Sequence, residues 1–337
     1  MSDTPNEFPP PSIEFPFAYG APSASADFRS QLTDFIVDEQ LGFEPLGEGE
    51  HLLVRVRKRG DNTGWIAEQL AAYFGIRPMD VGFCGLKDRH AETSQWFSLY
   101  LPKSDPTDDE KRLQTFIDES EADLDLLTFG RHIKKLRRGQ HTANAFQIIL
   151  RNIREPDSLP ARLSAIAEQG VPNYFGEQRF GRSSSNLHWA RRWFEGGETI
   201  RSRNKKVMAK SAARSYLFNL VLGERVKLGN WCQLIDNDPK SLTGPLWGRG
   251  RPVVSEALAS SEAQAMESCG QWLEGLEHVG LQQERRDLVL HPQHFTWTQE
   301  GDILTLRFAL PPGAFATAVL RELATLVNCS AAPEVEA

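Results

Sequence analysis

Strand-like alternation marks both ends of this chain and helix-like composition marks its middle, an order that leaves few folds open. Leu52, Val54 and Val56 are apolar while Arg55, Arg57 and Arg59 fill the opposite phase, the pattern of a half-buried strand with a basic outer face. Asn62 or Thr63 then caps a predicted helix that carries Ile66, Leu70 and Tyr73 on one face and ends at Gly75. Residues 93–101 alternate again before Pro102. The acidic stretch 105–125 reads as helical, short strands are predicted on either side of residues 131–138, and 144–151 reads as another strand. A capped helix runs from Ser158 through Pro160 to Gln169, closed by Gly170. The texture then changes. GVPNYFGEQRFGR (170–182) is dense in glycine and aromatics, and 211–226 and 255–277 read as helices. Strand character returns near Phe295 and over 302–310, and 315–326 is predicted as a closing helix. The expected fold class is α+β. A mainly antiparallel sheet domain is built from residues 1–169 and 290–337 and is interrupted by a helix-rich inserted α/β domain, 170–289. A length of 337 residues agrees with two cores.

Charge is segregated along the chain. The net charge is −7, yet RHIKKLRR (131–138) holds five Lys/Arg without an acid, and RSRNKKVMAKSAAR (201–214) holds six without an acid. RVRKR (55–59) is a third such run. Three basic runs in an acidic chain point to a polyanionic partner more than to solvated surface alone. No long uncharged apolar run predicts a membrane span. The N-terminus lacks a basic segment followed by an apolar one, so no secretory signal is expected; its prolines predict an extended leader, loose at its first residues. Cys84, Cys232, Cys269 and Cys329 are scattered, without a CxxC pair, which fits neither a zinc site nor a disulfide framework and agrees with a reducing cytoplasm.

No GxGxxG, P-loop, HExxH or GxSxG motif is present, and the His291/His294 pair has no third metal ligand in view. Chemistry must therefore come from side chains. Asp88, in FCGLKDRHAETSQWF (83–97), is the leading candidate. On spacing alone it is either a turn residue accepting backbone hydrogen bonds or a reactive carboxylate. If 86–89 is extended, Lys87 and Arg89 point away from Asp88 and grip phosphates, while their charge favours a charged carboxylate able to attack a sugar carbon. Phe35, Phe146 and Phe315 read either as core or as surfaces on which a base stacks, worth about 1–3 kcal/mol per base; for Phe146 periodicity favours core.

GLKDRHAETSQW, GVPNYFGEQRFGR, RNKKVMAKSAARSYLFN and LPPGAFATAVLREL occur in this order, with EGEHLLVRVRKRGDNT after FIVDE. Together they resemble the motifs of the tRNA pseudouridine synthase D (TruD) family, from about Phe28 to Leu326. The resemblance implies a pseudouridine-synthase catalytic domain with a family-specific insert. It implies isomerisation of one tRNA uridine, uridine 13 of the D-arm in bacterial members, without metal, cofactor or nucleotide energy source. It makes Asp88 the catalytic carboxylate and Phe35, Asn144, Phe146 and Phe315 the substrate-binding lining. The RNA backbone is expected to meet Lys87, Arg89, Lys134, Lys135, Arg137, Arg138, Arg203 and Lys205. No membrane and no obligatory protein partner is expected. Two alternatives stand beside it: a non-catalytic RNA-binding or chaperone protein of the same fold, and a carboxylate-dependent hydrolase, for which a second acid is not placed by any motif, Glu92 being merely near in sequence. No GRxD-type motif surrounds Asp88, so the sequence assigns it no arginine partner.

Overall fold

The computed structural model describes residues 9–251 and 253–330; the first residues of the predicted leader, expected to be loose, lie outside the described residues at 1–8. In chain order the regular elements begin with β1 (Ser25–Phe28), β2 (Phe35–Gln40), β3 (His51–Arg59), α1 (Thr63–Phe74), β4 (Val81–Phe83), β5 (Glu92–Tyr100), α2 (Asp109–Glu119), β6 (Asp123–His132) and β7 (Ala143–Arg154). The middle of the chain supplies α3 (Leu159–Gln169), β8 (Val171–Pro172), α4 (Ser185–Phe194), α5 (Arg203–Lys227), β9 (Thr243–Leu246), α6 (Glu256–Ala265), α7 (Gly270–Glu277), β10 (Glu284–Asp287) and β11 (Val289–Leu290). It closes with β12 (Gln293–Glu300), β13 (Ile303–Leu310), α8 (Ala316–Leu320) and β14 (Thr325–Asn328).

By internal packing the chain divides into two compact units. Among the described residues, the sheet-rich unit comprises Ser23–Ser158, Pro292–Gly313 and 324–330; the helix-rich unit comprises Leu159–His291, Ala314–Leu323 and 9–22. Against the boundaries expected at 169/170 and 289/290, α3, α8 and the residues before Pro22 pack with the helix-rich unit. Side chains within that unit explain why. Arg162 donates to the carbonyls of Tyr19, Gly20, Ala21 and Glu322, and the buried Glu322 carboxylate accepts the Ala18 amide at 3.0 Å.

The sheet-rich unit holds a ten-stranded sheet whose main order is β12-β13-β7-β2-β5-β3-β6, with β1 joined to β7 and β14, and β4 to β5. Pairing is antiparallel except for β2–β5 and β1–β14. Its core forms where Leu52, Val54 and Val56 of β3 and Phe97 and Leu99 of β5 meet Ile66, Leu70 and Phe74 of α1 and Leu113 and Phe116 of α2. The helix α1 starts and stops as its sequence dictates: the Asn62 side chain accepts the Trp65 amide, and Gly75 turns left-handed at φ 66°. In the helix-rich unit, Leu217, Phe218, Val221 and Leu222 of α5 pack with Tyr174, Phe180, Leu187, Trp231 and Trp272.

Several sequence expectations change. The acidic stretch is α-helical only over Asp109–Glu119 and enters β6 at Asp123, and the helix expected over 255–277 is broken between α6 and α7. The helix predicted from 211 begins at Arg203, because Ser202 caps it onto the Lys205 amide and the basic run consists largely of good helix formers. The helix predicted over 315–326 stops at Leu320; Thr325–Asn328 pairs in parallel with β1, with Leu326 opposite Ala26. Pairing to a strand distant in sequence overrides the local helical pattern there. The four cysteines are free thiols. Among the described residues no helix is long and apolar enough to cross a membrane, and no group of three or more His, Cys, Asp and Glu side chains is arranged to hold a metal.

Candidate active site

Asp88 lies in the 84–91 segment between β4 and β5, where no ladder orients the backbone. Its carboxylate Oδ2 accepts from Arg29 Nη2 at 2.6 Å. The two partners differ in exposure: the Arg29 side chain is 9 % accessible and that of Asp88 40 %. Arg29 follows β1 with a left-handed backbone, φ 59°, unusual for a side chain that cannot bond locally to its own backbone. Its guanidinium carbon stands 4.9 Å from the Phe28 ring centre and 4.4 Å from that of Phe35. The cation is thus held from behind by two aromatic faces and turned toward the open carboxylate.

The aromatic wall continues across the sheet. The Phe35 and Phe146 centroids are 6.0 Å apart, and Phe146 stacks on Phe308 at 5.4 Å. Strand register explains the convergence: Val37 lies opposite Phe146 and Glu39 opposite Asn144, so alternation puts Phe35, Glu39, Asn144 and Phe146 on one face. Asn144 Nδ2 meets His141 Nε2 at 3.1 Å, leaving its buried Oδ1 without a partner among the described residues. Burial, reinforced by the charge of Lys87, pushes the His141 imidazole below its usual range. The neutral ring accepts the amide N–H, and the amide oxygen is left as an acceptor.

Glu39, Thr63 and Lys58, to which the sequence reading gave no part in the site, hold the Asp88 segment. Lys87 Nζ forms an ion pair with Glu39 Oε2 at 2.6 Å, with side chains 6 % and 0 % accessible. Glu39 Oε1 accepts the Trp96 amide, and Thr63 Oγ1 accepts the Lys87 amide. Lys58, fully buried, donates to the main-chain oxygens of Asp61 at 2.6 Å and Asp88 at 3.1 Å. The expected outward grip of Lys87 is therefore corrected: its ammonium points inward, because the 84–91 segment is not a regular strand and Glu39 captures the charge. Arg89 is exposed and donates through Nε to the Gly60 carbonyl.

The basic runs fare unequally. In RVRKR, Arg55 pairs with Asp38, Arg57 with Glu92 and Asp125, and Arg59 with Glu92, Asp123 and Asp125, so the arginines of this run are neutralised within the sheet. In the second run Arg131 is buried on Asp109, Lys135 donates to the Met79 carbonyl, and Arg138 stands 4.2 Å over the Phe83 ring. Lys134 and Arg137 are exposed. In the helix-rich unit Arg203 and Lys205 occupy the first turn of α5, which carries no acid; Lys205 Nζ lies 4.9 Å from the Trp189 ring centre. Phe315 also belongs to that unit, with its ring 6.3 Å from Phe175 and the Arg179 guanidinium 5.7 Å away. Phe35, Asn144, Phe146 and Asp88 thus share the sheet-rich unit.

Comparison with known proteins places the chain in a family. The sequence model of the family described as tRNA pseudouridine synthase D (TruD) matches residues 15–195 and 232–323. The tRNA pseudouridine synthase D of Cellvibrio japonicus is 49 % identical over 323 residues, 94 % of each chain. That of Aeromonas hydrophila is 44 % identical, covering 91 % of this chain and 93 % of its own. The crystal structure of a Methanosarcina mazei chain named for TruD, 20 % identical, superposes with a TM-score of 0.66 over 93 % of this chain and 96 % of that one, and shows the same fold. The chain belongs to the tRNA pseudouridine synthase D (TruD) family.

Proposed function

We propose that this chain converts one uridine of tRNA, uridine 13 of the D-arm, to pseudouridine in the cytoplasm, with Asp88 as the catalytic carboxylate. The observation that carries this reading is the Arg29–Asp88 pair, in which a buried, aromatic-backed cation supports a carboxylate open to solvent. The reaction is an isomerisation: C1′–N1 breaks, the uracil turns in place, C1′–C5 forms, and C5 loses a proton as N1 gains one. Every atom of the base is retained. Asp88 either forms an ester at C1′ or removes the C2′ proton, and both roles need a charged carboxylate within reach of the ribose.

The detached uracil must stay bound and still rotate. Flat aromatic faces allow this, because stacking tolerates in-plane turning better than several fixed hydrogen bonds do. Phe146 supplies such a face, backed by the buried Phe35 ring whose own face carries Arg29, and the unpartnered Oδ1 of Asn144 supplies one directional acceptor, suited to the uracil N3–H. Phe315 belongs to the substrate-binding set on the strength of its GAFAT motif. Extruding the target base from its stack costs a few kcal/mol, offset by contacts to the RNA backbone. Arg89, Lys134, Lys135, Arg137, Arg138, Arg203 and Lys205 make those contacts; Lys87 does not.

Incubation with unmodified tRNA, followed by chemical adduct formation and reverse-transcription mapping, should show one new stop at uridine 13. A folded protein that binds tRNA yet yields no adduct at any uridine would replace the enzyme by the RNA-binding or chaperone alternative. Binding should also weaken steeply with salt. Changing Arg203 and Lys205 together to Ala should reduce the slope of log K against log salt by about 2; an unchanged slope removes both residues from the contact set.

A further inference from the structure

A lysine with no accessible surface needs a reason, since desolvating an ammonium is costly and an apolar side chain would pack in its place. Lys58 is such a residue. It occupies the phase of β3 that carries Leu52, Val54 and Val56, and it lies opposite Thr93 of β5, which lies opposite Val37 of β2, which lies opposite Phe146 of β7. One cross-strand row therefore runs from the proposed base-stacking ring to Lys58. Its recorded acceptors are two main-chain oxygens, those of Asp61 and Asp88; among the described residues no carboxylate forms an ion pair with it.

We infer that Lys58 is a positioning residue for the isomerisation: its ammonium fixes the Asp88 peptide plane, and with it the direction of the Asp88 carboxylate, and it places a positive charge behind that group. The inference rests on Asp88 being the catalytic carboxylate. Arg29 holds the Asp88 carboxylate, and Thr63 on the Lys87 amide and Arg89 on Gly60 act one residue away, whereas Lys58 bonds to the main chain of Asp88 itself. Where no ladder sets the backbone, a charge-assisted bond to the carbonyl is a strong orienting contact for the peptide plane. Burial brings the Lys58 ammonium down to about 8. The charged groups acting on it are Asp61 and Asp88, which favour the ammonium, and Lys87, which opposes it. Its strand neighbours Thr93 and Leu124 do not titrate.

The sign follows. A lysine depressed in the folded state is charged below about 8 and neutral above it, so the chemical step loses its orienting charge as pH rises through that value. Folding stability moves the other way for this group. Its burial penalty is fully present below about 8 and fades as pH rises toward the range of an unfolded lysine, near 10.4. A merely structural lysine would not separate activity from stability in this manner.

The test is single-turnover pseudouridine formation by the full chain on unmodified tRNA from pH 6.5 to 9.5, with tRNA affinity and urea stability measured in parallel. Wild type should lose about tenfold in rate per pH unit above about 8, with no parallel loss of stability. Lys58→Met, which keeps the stem and removes the charge, should fold at least as stably at neutral pH and bind tRNA unchanged. It should turn over on the order of 10–100-fold more slowly, without the alkaline limb. A Lys58→Met enzyme with wild-type rate, or with the limb at its original midpoint, overturns the inference. Should that variant not fold, the wild-type profile decides: a rate flat to pH 9.5 overturns it. Asp88→Asn runs alongside, and turnover by that variant would locate the failure in the Asp88 assignment instead.

Discussion

Asp88→Asn should abolish pseudouridine formation, by at least ~10³-fold, while tRNA binding changes less than about threefold. The substitution keeps the shape of the side chain and one oxygen for Arg29 Nη2, so the 2.6 Å contact can persist in weaker form. It removes the charge that would attack C1′ or take the C2′ proton, and neither route has a substitute group at that atom. Asp88 is 40 % accessible and its ion pair is screened accordingly, so the stability cost should be about 1 kcal/mol or less. Intact binding with lost turnover, read by filter binding and adduct mapping on the same preparation, is the signature of a chemical role. Activity within tenfold of wild type would remove Asp88 from the mechanism. A parallel loss of binding would reduce Asp88 to an organiser of the 84–91 segment.

The sequence exposed elements better than partnerships. Alternation located β3, β7 and β13 because each packs one face on a core, and it located β5 although that strand is buried on both faces; a capping asparagine with a terminal glycine bounded α1. The same alternation carried a signal that was not used. Phe35, Val37 and Glu39 share one phase of β2, and Leu52, Val54, Val56 and Lys58 share one phase of β3, so each strand places a charge where its pattern demands an apolar residue. Both charges turn out to hold the Asp88 segment. Arg29 carried no such signal: it follows a four-residue strand, and its meeting with a residue 59 positions away depends on β1 joining β7 at one side of the sheet. His141 was equally silent, since its role lies in one contact to Asn144. The basic runs misled in part because charge density in sequence does not record the acids of neighbouring strands, which neutralise Arg55, Arg57 and Arg59.

Lys87 departs furthest from what its flanking sequence suggests, and its replacement should have the largest effect on stability. Lys87→Met leaves Glu39 fully buried with only the Trp96 amide as a recorded partner, and breaking such a pair costs about 3–5 kcal/mol. The loss should appear as a shifted midpoint in urea denaturation and should be nearly independent of salt, because neither charge reaches solvent. Arg57→Met, on the more exposed side of the same sheet, should cost less than about 1 kcal/mol. Adding Glu39→Leu to Lys87→Met should recover much of the loss, since exchanging both members of a buried pair for apolar side chains is often neutral. The RNA-binding consequence separates this view from the one suggested by the flanking sequence. A lysine on a phosphate would lower the salt slope of tRNA binding by about 1 when removed, whereas the inward ammonium predicts an unchanged slope for the folded variant. A lowered slope with unchanged stability would return Lys87 to the RNA surface and leave Glu39 to be neutralised by some other group.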